Sequence, residues 1–401
     1  MSSIALAEIE GRSGGYYSLL GVLAAFVAMG LGAAWYMEHH GHIVTGMNNQ
    51  IVWALPHVFA FFLLVAASGA LNVASIAWVF GRQAYKPLAP LSGVLAFSLL
   101  AGGLLLLVLD LGRPERLMVT MTHVNFKSVF AFNKMLYMGY FVLVAASVWT
   151  MLDFTVRRFT KAAAIAAFLW RLTLTTGTGS VLGFLVAREA YDTALLAPTF
   201  IALSFSYGTA AFILVMLAAY RGTERPIGDD MVARLGTLQA IFVAAGLYFV
   251  VLLHLTNLYM AKRWGVEYFL LVGGGDITAL LWVGQLLIGN VLPMILLFHP
   301  GLVRRRGVVA VACAAILAGG LAQMYVTLVG GQAYPLELFP GLEESSRFYD
   351  GEIHPYTPSL PEILLCVGGV AVAGVMIVIA VKFLRVLPAS LEDERGQSVT
   401  A

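Results

Sequence analysis

Long apolar stretches separated by short polar connections recur ten times along the chain. Each is near the ~20 residues that a helix needs to cross the hydrocarbon core of a bilayer. Lipid offers the backbone no hydrogen-bond partner, so such a stretch must fold as a helix. The pattern predicts an all-α integral membrane protein with ten transmembrane helices, at residues 16–36, 51–80, 91–109, 128–152, 162–187, 195–220, 235–259, 277–298, 308–329 and 363–386.

The second stretch carries polar residues at helical spacing. Trp53, His57 and Ala60 share one face, at positions i, i+4 and i+7. A stripe of small polar side chains continues along the helix, at Ser68, Asn72 and Ser75. A buried asparagine needs hydrogen-bond partners, so we expect this stripe to pack against protein rather than lipid. His57 itself has two interpretations, a wet imidazole at a helix end or a group that binds a ligand.

The composition agrees with a chain surrounded by lipid. Hydrophobic residues make up 60% of the 401 residues and charged residues only 11%, and the mean hydropathy is +0.85. Soluble domains carry about 25% charged residues. The net charge of +2 gives no reason to expect a nucleic-acid partner.

The distribution of Lys and Arg predicts the orientation. With ten spans both termini lie on one side, and most of the 24 Lys and Arg residues fall there. The positive-inside rule assigns that side to the cytoplasm, which makes the chain a multi-pass protein of the inner (cytoplasmic) membrane. We expect cytoplasmic tails at 1–15 and 387–401, a membrane domain at 16–386 and an outer cap at 330–361. His57 then lies on the outer side.

The sequence offers few ligands for resident metal cofactors. Cys313 and Cys366 both lie in apolar runs, whereas an iron–sulfur cluster usually needs about four thiolates. No span holds two histidines spaced for two haems. The eight histidines leave one haem arrangement open, a single haem bound between His57 and His254.

Further polar residues lie at the predicted outer ends of the spans. Asp110 ends the third span and Arg113 follows in the turn LDLGRPER, while Arg188 and His254 lie at the ends of later spans. The outer part of the fifth span, TLTTGTGS, is rich in hydroxyls and glycine. Helix packing and a ligand pocket explain that run equally well. Its candidate ligand groups are Thr176, Thr178 and Ser180.

Together these groups predict an outward-facing pocket between helices. A redox quinone suits it, because the ring packs against apolar side chains while each oxygen needs a hydrogen-bond partner. Protons must come and go with the electrons, and histidine can carry them near neutral pH, so His57 is the candidate catalytic residue. The candidate cofactor-binding residues are Trp53, His57, Asp110, Arg113, Thr176, Thr178, Ser180, Arg188 and His254.

Several segments resemble one known family, the NrfD/PsrC-type integral membrane subunits of bacterial and archaeal redox complexes. WALPHVFAFFLLVAASGA is similar to the family's first core helix, LDLGRPERL to its turn after the next helix, and PSLPEILLCVGGVAVAG to the last helix of its HybB-like branch. The segments TTGTGS, HLTNLY and GGQAYPLELFPG look most like the DsrP-type subunit of the DsrMKJOP complex of dissimilatory sulfur metabolism. The similarity covers about residues 12 to 390.

The resemblance implies a subunit of a quinol/quinone oxidoreductase complex with no haem, iron–sulfur cluster or metal of its own. It implies menaquinone or ubiquinone bound near the outer face, with His57 contacting the head group. The implied partners are a periplasmic DsrO-like iron–sulfur subunit, a cytochrome c, and DsrM-, DsrK- or DsrJ-like subunits. The better-known branch also uses an asparagine one turn before the histidine and a tyrosine on a later helix. Here Trp53 or Ala54 occupies the first position and the TTGTGS region the second.

Two other functions are compatible with the sequence. Secondary transporters also place polar residues between helices, and some consist of two inverted five-helix halves. Against this, the charges here gather at the outer rim rather than at the midplane. The third function is a non-catalytic membrane anchor that binds its complex through the cap at 330–361.

Overall fold

The computed structural model of the chain describes residues 6–335, 352–353, 356–389 and 391. These residues form a bundle of long helices, as the hydropathy pattern predicts. The α-helices are α1 Gly14–His40, α2 Leu55–Ala70, α3 Asn72–Trp78, α4 Ala89–Leu109, α5 Leu117–Thr122, α6 Val129–Leu152, α7 Thr160–Gly183, α8 Leu196–Thr223, α9 Asp229–Tyr259, α10 Trp264–Tyr268, α11 Asp276–Ala279, α12 Leu292–Phe298, α13 Arg306–Tyr325, α14 Gly331–Ala333 and α15 Leu360–Phe383. π-Helical segments lie at Phe269–Gly273, Leu280–Val291 and Val326–Gly330.

Local sequence signals explain where several helices begin. Ser13 caps α1 by accepting a hydrogen bond from the Tyr16 backbone N–H at 3.2 Å. Pro56 lies in the first turn of α2, where proline is tolerated. α15 begins with a capping box, in which the side chains of Ser359 and Glu362 each accept the other residue's backbone N–H.

Nine helical segments of the described residues are long and apolar enough to cross a membrane. They correspond to nine of the ten predicted spans. The remaining predicted span, 162–187, is helix α7, which packs between α6 and α8. It carries Lys161, Arg171 and the hydroxyl-rich TLTTGTGS run, which lower its apolar character. The count of ten spans therefore stays a prediction.

Helix α2 lies at the centre of the bundle. It packs against α4, α8, α13 and α15. In the most apolar part of the α2–α3 span 89% of the residues are buried, against 17% in α1. The predicted span 51–80 is divided at Leu71 into α2 and α3. Ser68, Asn72 and Ser75 are each at most 3% exposed, which confirms that this stripe packs against protein.

Helices α2 and α8 cross where glycine faces backbone. A Cβ added at Gly69 would lie 1.6 Å from the Ser204 carbonyl oxygen, and one added at Gly208 would lie 2.0 Å from the Ala70 nitrogen. A side chain at either position would overlap the neighbouring backbone, so only glycine permits this approach.

We expect Gly69→Val to destabilise the fold by about 3 kcal/mol or more, because backbone cannot yield as a flexible side chain does. The measurement is the thermal unfolding midpoint of the purified protein in detergent. Gly32→Val is the matched control, because Gly32 is exposed on α1 and a Cβ there meets nothing within 4 Å. Equal midpoints for the two variants would contradict the importance of the crossing.

The two ends of the described residues meet at one end of the bundle. Strand β1 Leu6–Ala7 pairs antiparallel with β2 Leu387–Pro388. Arg225, which follows α8, donates to backbone carbonyl oxygens of both tails. Both ends therefore lie on the same side, where an even number of crossings would place them. The cytoplasmic identity of that side stays a prediction.

The predicted outer cap, 330–361, is described only in part. Residues 336–351 and 354–355 lie outside the described residues. Its described parts include α14, which follows the π-helical segment Val326–Gly330, and the segment 356–359, which leads into α15. Both portions contact the N-terminal end of α2, as the site below shows.

Candidate functional site

His57 and Asp110 meet at the end of the bundle opposite the paired tails. His57 lies in the first turn of α2, and Asp110 directly follows the last residue of α4. His57 Nδ1 lies 2.9 Å from Asp110 Oδ2, and the two side chains are 21% and 1% exposed. The fold thus joins two residues that the sequence placed only at the same predicted membrane face.

The Asp110 carboxylate is buried without its full set of hydrogen bonds. Neither oxygen has an aligned hydrogen-bond partner among the described residues, so the His57 contact is an ion-pair distance rather than a formed hydrogen bond. A buried carboxylate is costly unless a cation or a donor compensates it. An N–H at His57 Nδ1 would face this carboxylate and would leave Nε2 as the accepting nitrogen of the ring.

A cluster of aromatic rings lies next to the imidazole, centred on Trp53. Trp53 stacks on His57, with ring centroids 6.3 Å apart and an interplanar angle of 18°. The Trp53 ring also lies 6.3 Å from Phe61 and 6.1 Å from Phe130, which is in the first turn of α6. Such rings offer apolar faces against which a planar ligand packs.

Side chains from distant parts of the sequence hold the backbone just before His57. Gln332 Oε1 accepts the backbone N–H groups of Val52 at 3.1 Å and Trp53 at 3.0 Å, and its Nε2 donates to the Trp53 carbonyl at 2.9 Å. Arg188 donates to the carbonyl of Gln50 at 2.7 Å and to that of Gln332 at 3.2 Å. Burial lowers the pKa of the Arg188 guanidinium below its usual value. Arg188, a predicted rim residue, thus positions backbone.

Tyr356 and Glu362 hold the first turn of α2. The Tyr356 hydroxyl accepts the Leu55 backbone N–H at 3.0 Å and donates to Glu362 Oε1 at 2.8 Å. The second Glu362 oxygen accepts the backbone N–H groups of Gly46 at 2.9 Å and Ser359 at 2.7 Å. Burial raises the pKa of the Tyr356 phenol. The Tyr356 phenol therefore stays a neutral donor at neutral pH.

Sequence reasoning did not identify Gln332, Tyr356 or Phe130 as part of this region. It assigned Glu362 only a favourable position at a helix N-terminus. The capping box was a readable signal for Glu362, but the contacts with α2 bridge residues about 280 to 300 positions apart. No spacing pattern within one sequence shows contacts of that kind.

The hydroxyl-rich run of α7 is divided by the structure. Thr178 is 2% exposed, and its Oγ1 donates to the Leu174 carbonyl at 2.9 Å and lies 3.3 Å from the Tyr137 hydroxyl of α6. Ser180 is half-buried, whereas Thr176 is exposed on another face of the helix. Thr178 is therefore the one of the three candidate ligands that faces the interior of the bundle, as Thr175 of the same run also does.

Two other predicted residues lie away from the imidazole. Arg113 is exposed beyond the Asp110 turn. His254 belongs to a different cluster near the end of α9, where its Nδ1 bonds the fully buried Glu267 of α10. Asn257 donates to the other Glu267 oxygen at 3.1 Å. His57 and His254 thus contact different carboxylates, and the structure does not bring them together as the two ligands of one haem.

Arg171 is a buried cation within α7. Its guanidinium donates to the Ser68 carbonyl at 3.0 Å and to Asn72 Oδ1. It also lies over the rings of Phe168 and Phe205. An arginine inside a span must face the bundle and find partners there. These contacts join α7 to α2 about three helical turns inward of the first turn of α2.

The fold and this geometry define a class, a multi-pass integral membrane protein with an imidazole–carboxylate pair and aromatic rings where two spans end. The chain belongs to the NrfD family, since the family model described as "Polysulphide reductase, NrfD" matches residues 43–335. That range includes His57, Asp110 and Gln332.

Relatives with named functions align with most of the sequence. The protein is 27% identical to the Hdr-like menaquinol oxidoreductase integral membrane subunit of Archaeoglobus fulgidus, over 96% of its own length and 98% of the relative. It is 27% identical to a putative dimethyl sulfoxide reductase membrane subunit of Halobacterium salinarum, over 91% and 90%. It is 26% identical to one chain of the polysulfide reductase of Wolinella succinogenes, over 71% and 96%. These relatives are subunits of oxidoreductase complexes.

Proposed function

We propose that this protein is the quinone-interacting membrane subunit of a multi-subunit oxidoreductase. One observation carries the proposal: a part-exposed imidazole, His57, lies against a buried carboxylate, Asp110, and under a stacked tryptophan ring. An isolated wet histidine would need neither the buried acid nor the aromatic enclosure. Family membership, and the menaquinol oxidoreductase named for one relative, support the same function.

A bound quinone would supply two-electron, two-proton redox chemistry. His57 Nε2 hydrogen-bonds to one oxygen of the head group and takes up or returns its proton. Asp110 orients the imidazole through Nδ1 and offsets its positive charge when the proton is held. Trp53 packs against the ring, and the contacts of Arg188 and Gln332 keep the backbone before His57 in place.

The proposal keeps part of the residue set that the sequence predicted. Trp53, His57 and Asp110 form the group on which the proposal rests. Arg188 positions the backbone before His57, and Thr178 faces the interior of the bundle. The remaining predicted residues are exposed, half-buried or part of the Glu267 cluster, and we assign them no quinone contact; they are Arg113, Thr176, Ser180 and His254.

The electron partner in this proposal is an iron–sulfur subunit docked on the outer side, periplasmic and DsrO-like. The position of His57 at the end of the bundle opposite the paired tails keeps the electron path short on that side. Similarity of the TTGTGS, HLTNLY and GGQAYPLELFPG segments supports a DsrP-type role in sulfur metabolism, with DsrM-, DsrK- or DsrJ-like subunits and a cytochrome c. Menaquinone or ubiquinone is the proposed mobile electron carrier.

The complex purified from its native membrane should carry extractable quinone, and the same complex with His57→Ala should lose most of it. The reason is that the head group loses the His57 hydrogen bond that fixes it beside the Trp53 ring. Lipid extraction followed by chromatography measures the quinone, and an absorbance spectrum tests for haem. A b-type haem spectrum assigned to this protein and abolished by His57→Ala would replace our proposal with a cytochrome.

A further inference from the structure

The side-chain oxygen of Asn133 is buried and takes part in none of the contacts described above. It lies one turn into α6 and is 2% exposed. Its Nδ2 donates to the carbonyl oxygens of Val129 and Gly177, each at 3.0 Å. Both partners are acceptors only, so the assignment of nitrogen and oxygen in the amide is determined by the contacts. Oδ1 is therefore a shielded acceptor with no donor among the described residues.

The position of Asn133 relates it to His57. α2 and α6 both begin at the same end of the bundle, and Trp53 contacts Phe130 there. Farther inward the Tyr140 hydroxyl of α6 donates to the Ala67 carbonyl of α2 at 2.9 Å. The ten residues from Phe130 to Tyr140 span roughly 15 Å. On α2, His57 lies between Trp53 and Ala67, and on α6, Asn133 lies between Phe130 and Tyr140. Both residues therefore lie between the Trp53–Phe130 contact and the Tyr140–Ala67 hydrogen bond.

An acceptor buried without a donor is costly, so a group that supplies an O–H or N–H should bind there. A hydroquinone has two hydroxyls on opposite sides of its ring, and each can donate. The oxidised quinone has two carbonyl oxygens, which only accept. The Asn133 amide oxygen can therefore pair with the reduced head group but not with the oxidised one.

We propose that Asn133 Oδ1 accepts a hydrogen bond from the quinol hydroxyl that lies across the ring from the one held by His57. This inference rests on the proposed quinone site. When the quinol gives two electrons to the iron–sulfur partner and two protons to the protein, Asn133 loses its donor. The site then binds the oxidised product more weakly than the quinol, and release of the product is favoured.

Asn133→Val and Asn133→Thr form a matched pair that tests this role. The two replacement side chains have nearly the same shape, and both lose the bond to Gly177. The threonine hydroxyl of the second variant can donate to the Val129 carbonyl, as Thr178 donates to Leu174, and still accept a quinol hydroxyl. The measurement is the dissociation constant of menadiol and of menadione for the intact complex, with menadiol handled without oxygen.

We expect Asn133→Val to weaken menadiol binding about three- to tenfold, the loss typical of one neutral hydrogen bond, and to leave menadione binding unchanged. Asn133→Thr should bind menadiol within about twofold of the unaltered complex. Trp170→Phe is the packing control, because it removes another hydrogen bond between α7 and α6, from Trp170 Nε1 to the Leu136 carbonyl at 2.8 Å. It should not change the ratio of the two constants.

Equal menadiol binding by the Val and Thr variants would overturn the inference, as would equal weakening of menadiol and menadione. A bound water that supplies the missing donor would give the first of these results. His57→Ala separates this failure from failure of the whole site. If His57→Ala weakens both ligands while the Val variant changes nothing, only the role of Asn133 is lost. If His57→Ala changes neither, the quinone site itself is wrong.

Discussion

His57→Gln should lower quinol-linked turnover of the assembled complex by an order of magnitude or more. Glutamine retains a hydrogen-bonding side chain of similar length, but it cannot take up and release a proton near neutral pH. A general acid–base group typically contributes about 10²- to 10⁴-fold to a proton-transfer step. Turnover is measured with a soluble quinol analogue and an artificial electron acceptor, after gel filtration has shown that the subunits remain together.

His299→Gln is the matched control for this variant. His299 follows α12 and is exposed, and its ring nitrogen only accepts the Gly301 backbone N–H at 3.2 Å. The same substitution there should leave turnover unchanged. Normal turnover in an assembled His57→Gln complex would eliminate the proposed role of His57.

Asp110→Asn should lower turnover about 10- to 100-fold, the usual effect of removing the group that orients a functional imidazole. The amide removes the negative charge beside Nδ1 and can present an N–H where the imidazole needs an acceptor. Asp229→Asn is the control, because the Asp229 side chain is 58% exposed and pairs with Arg306 at the other end of the bundle. Turnover is measured as for His57→Gln.

The double variant His57→Gln, Asp110→Asn distinguishes a shared role from two separate ones. If Asp110 acts through His57, the double variant should be no slower than His57→Gln alone, because the two losses are not additive within one unit. If the turnover losses of the two single variants multiply in the double variant, Asp110 contributes independently, for example by stabilising the fold around the end of α4. That outcome would remove the orienting role while leaving the imidazole in place.

Helix positions followed closely from the apolar pattern. The predicted span 128–152 is α6 Val129–Leu152, and 91–109 ends with α4 at Leu109. This agreement has a local cause, because backbone in lipid must satisfy its own hydrogen bonds and a run of apolar side chains marks where that happens. The predicted span 51–80 was less accurate, since the apolar run continues through the break at Leu71 between α2 and α3.

The candidate site was predictable only in part. Residue type and position singled out His57, Asp110 and Trp53, which the structure brings together. The same reasoning placed His254 with them, because both histidines lie at helix ends expected on one side of the membrane. A shared membrane face does not determine which neighbours a helix has, and α9 packs against α8, α10 and α12 rather than against α2.

The sequence by itself determined that this protein lies in a membrane and where its helices run, and it singled out His57 as the candidate imidazole for a ligand. These are local properties, because each depends on side chains a few residues apart on one helix. The tertiary structure decided that Asp110 meets His57 and that Gln332 and Tyr356 hold the start of α2. It also decided that the Asn133 amide oxygen on α6 is buried without a donor among the described residues. Those contacts join distant segments, and their geometry comes from how whole helices pack, which no local pattern specifies.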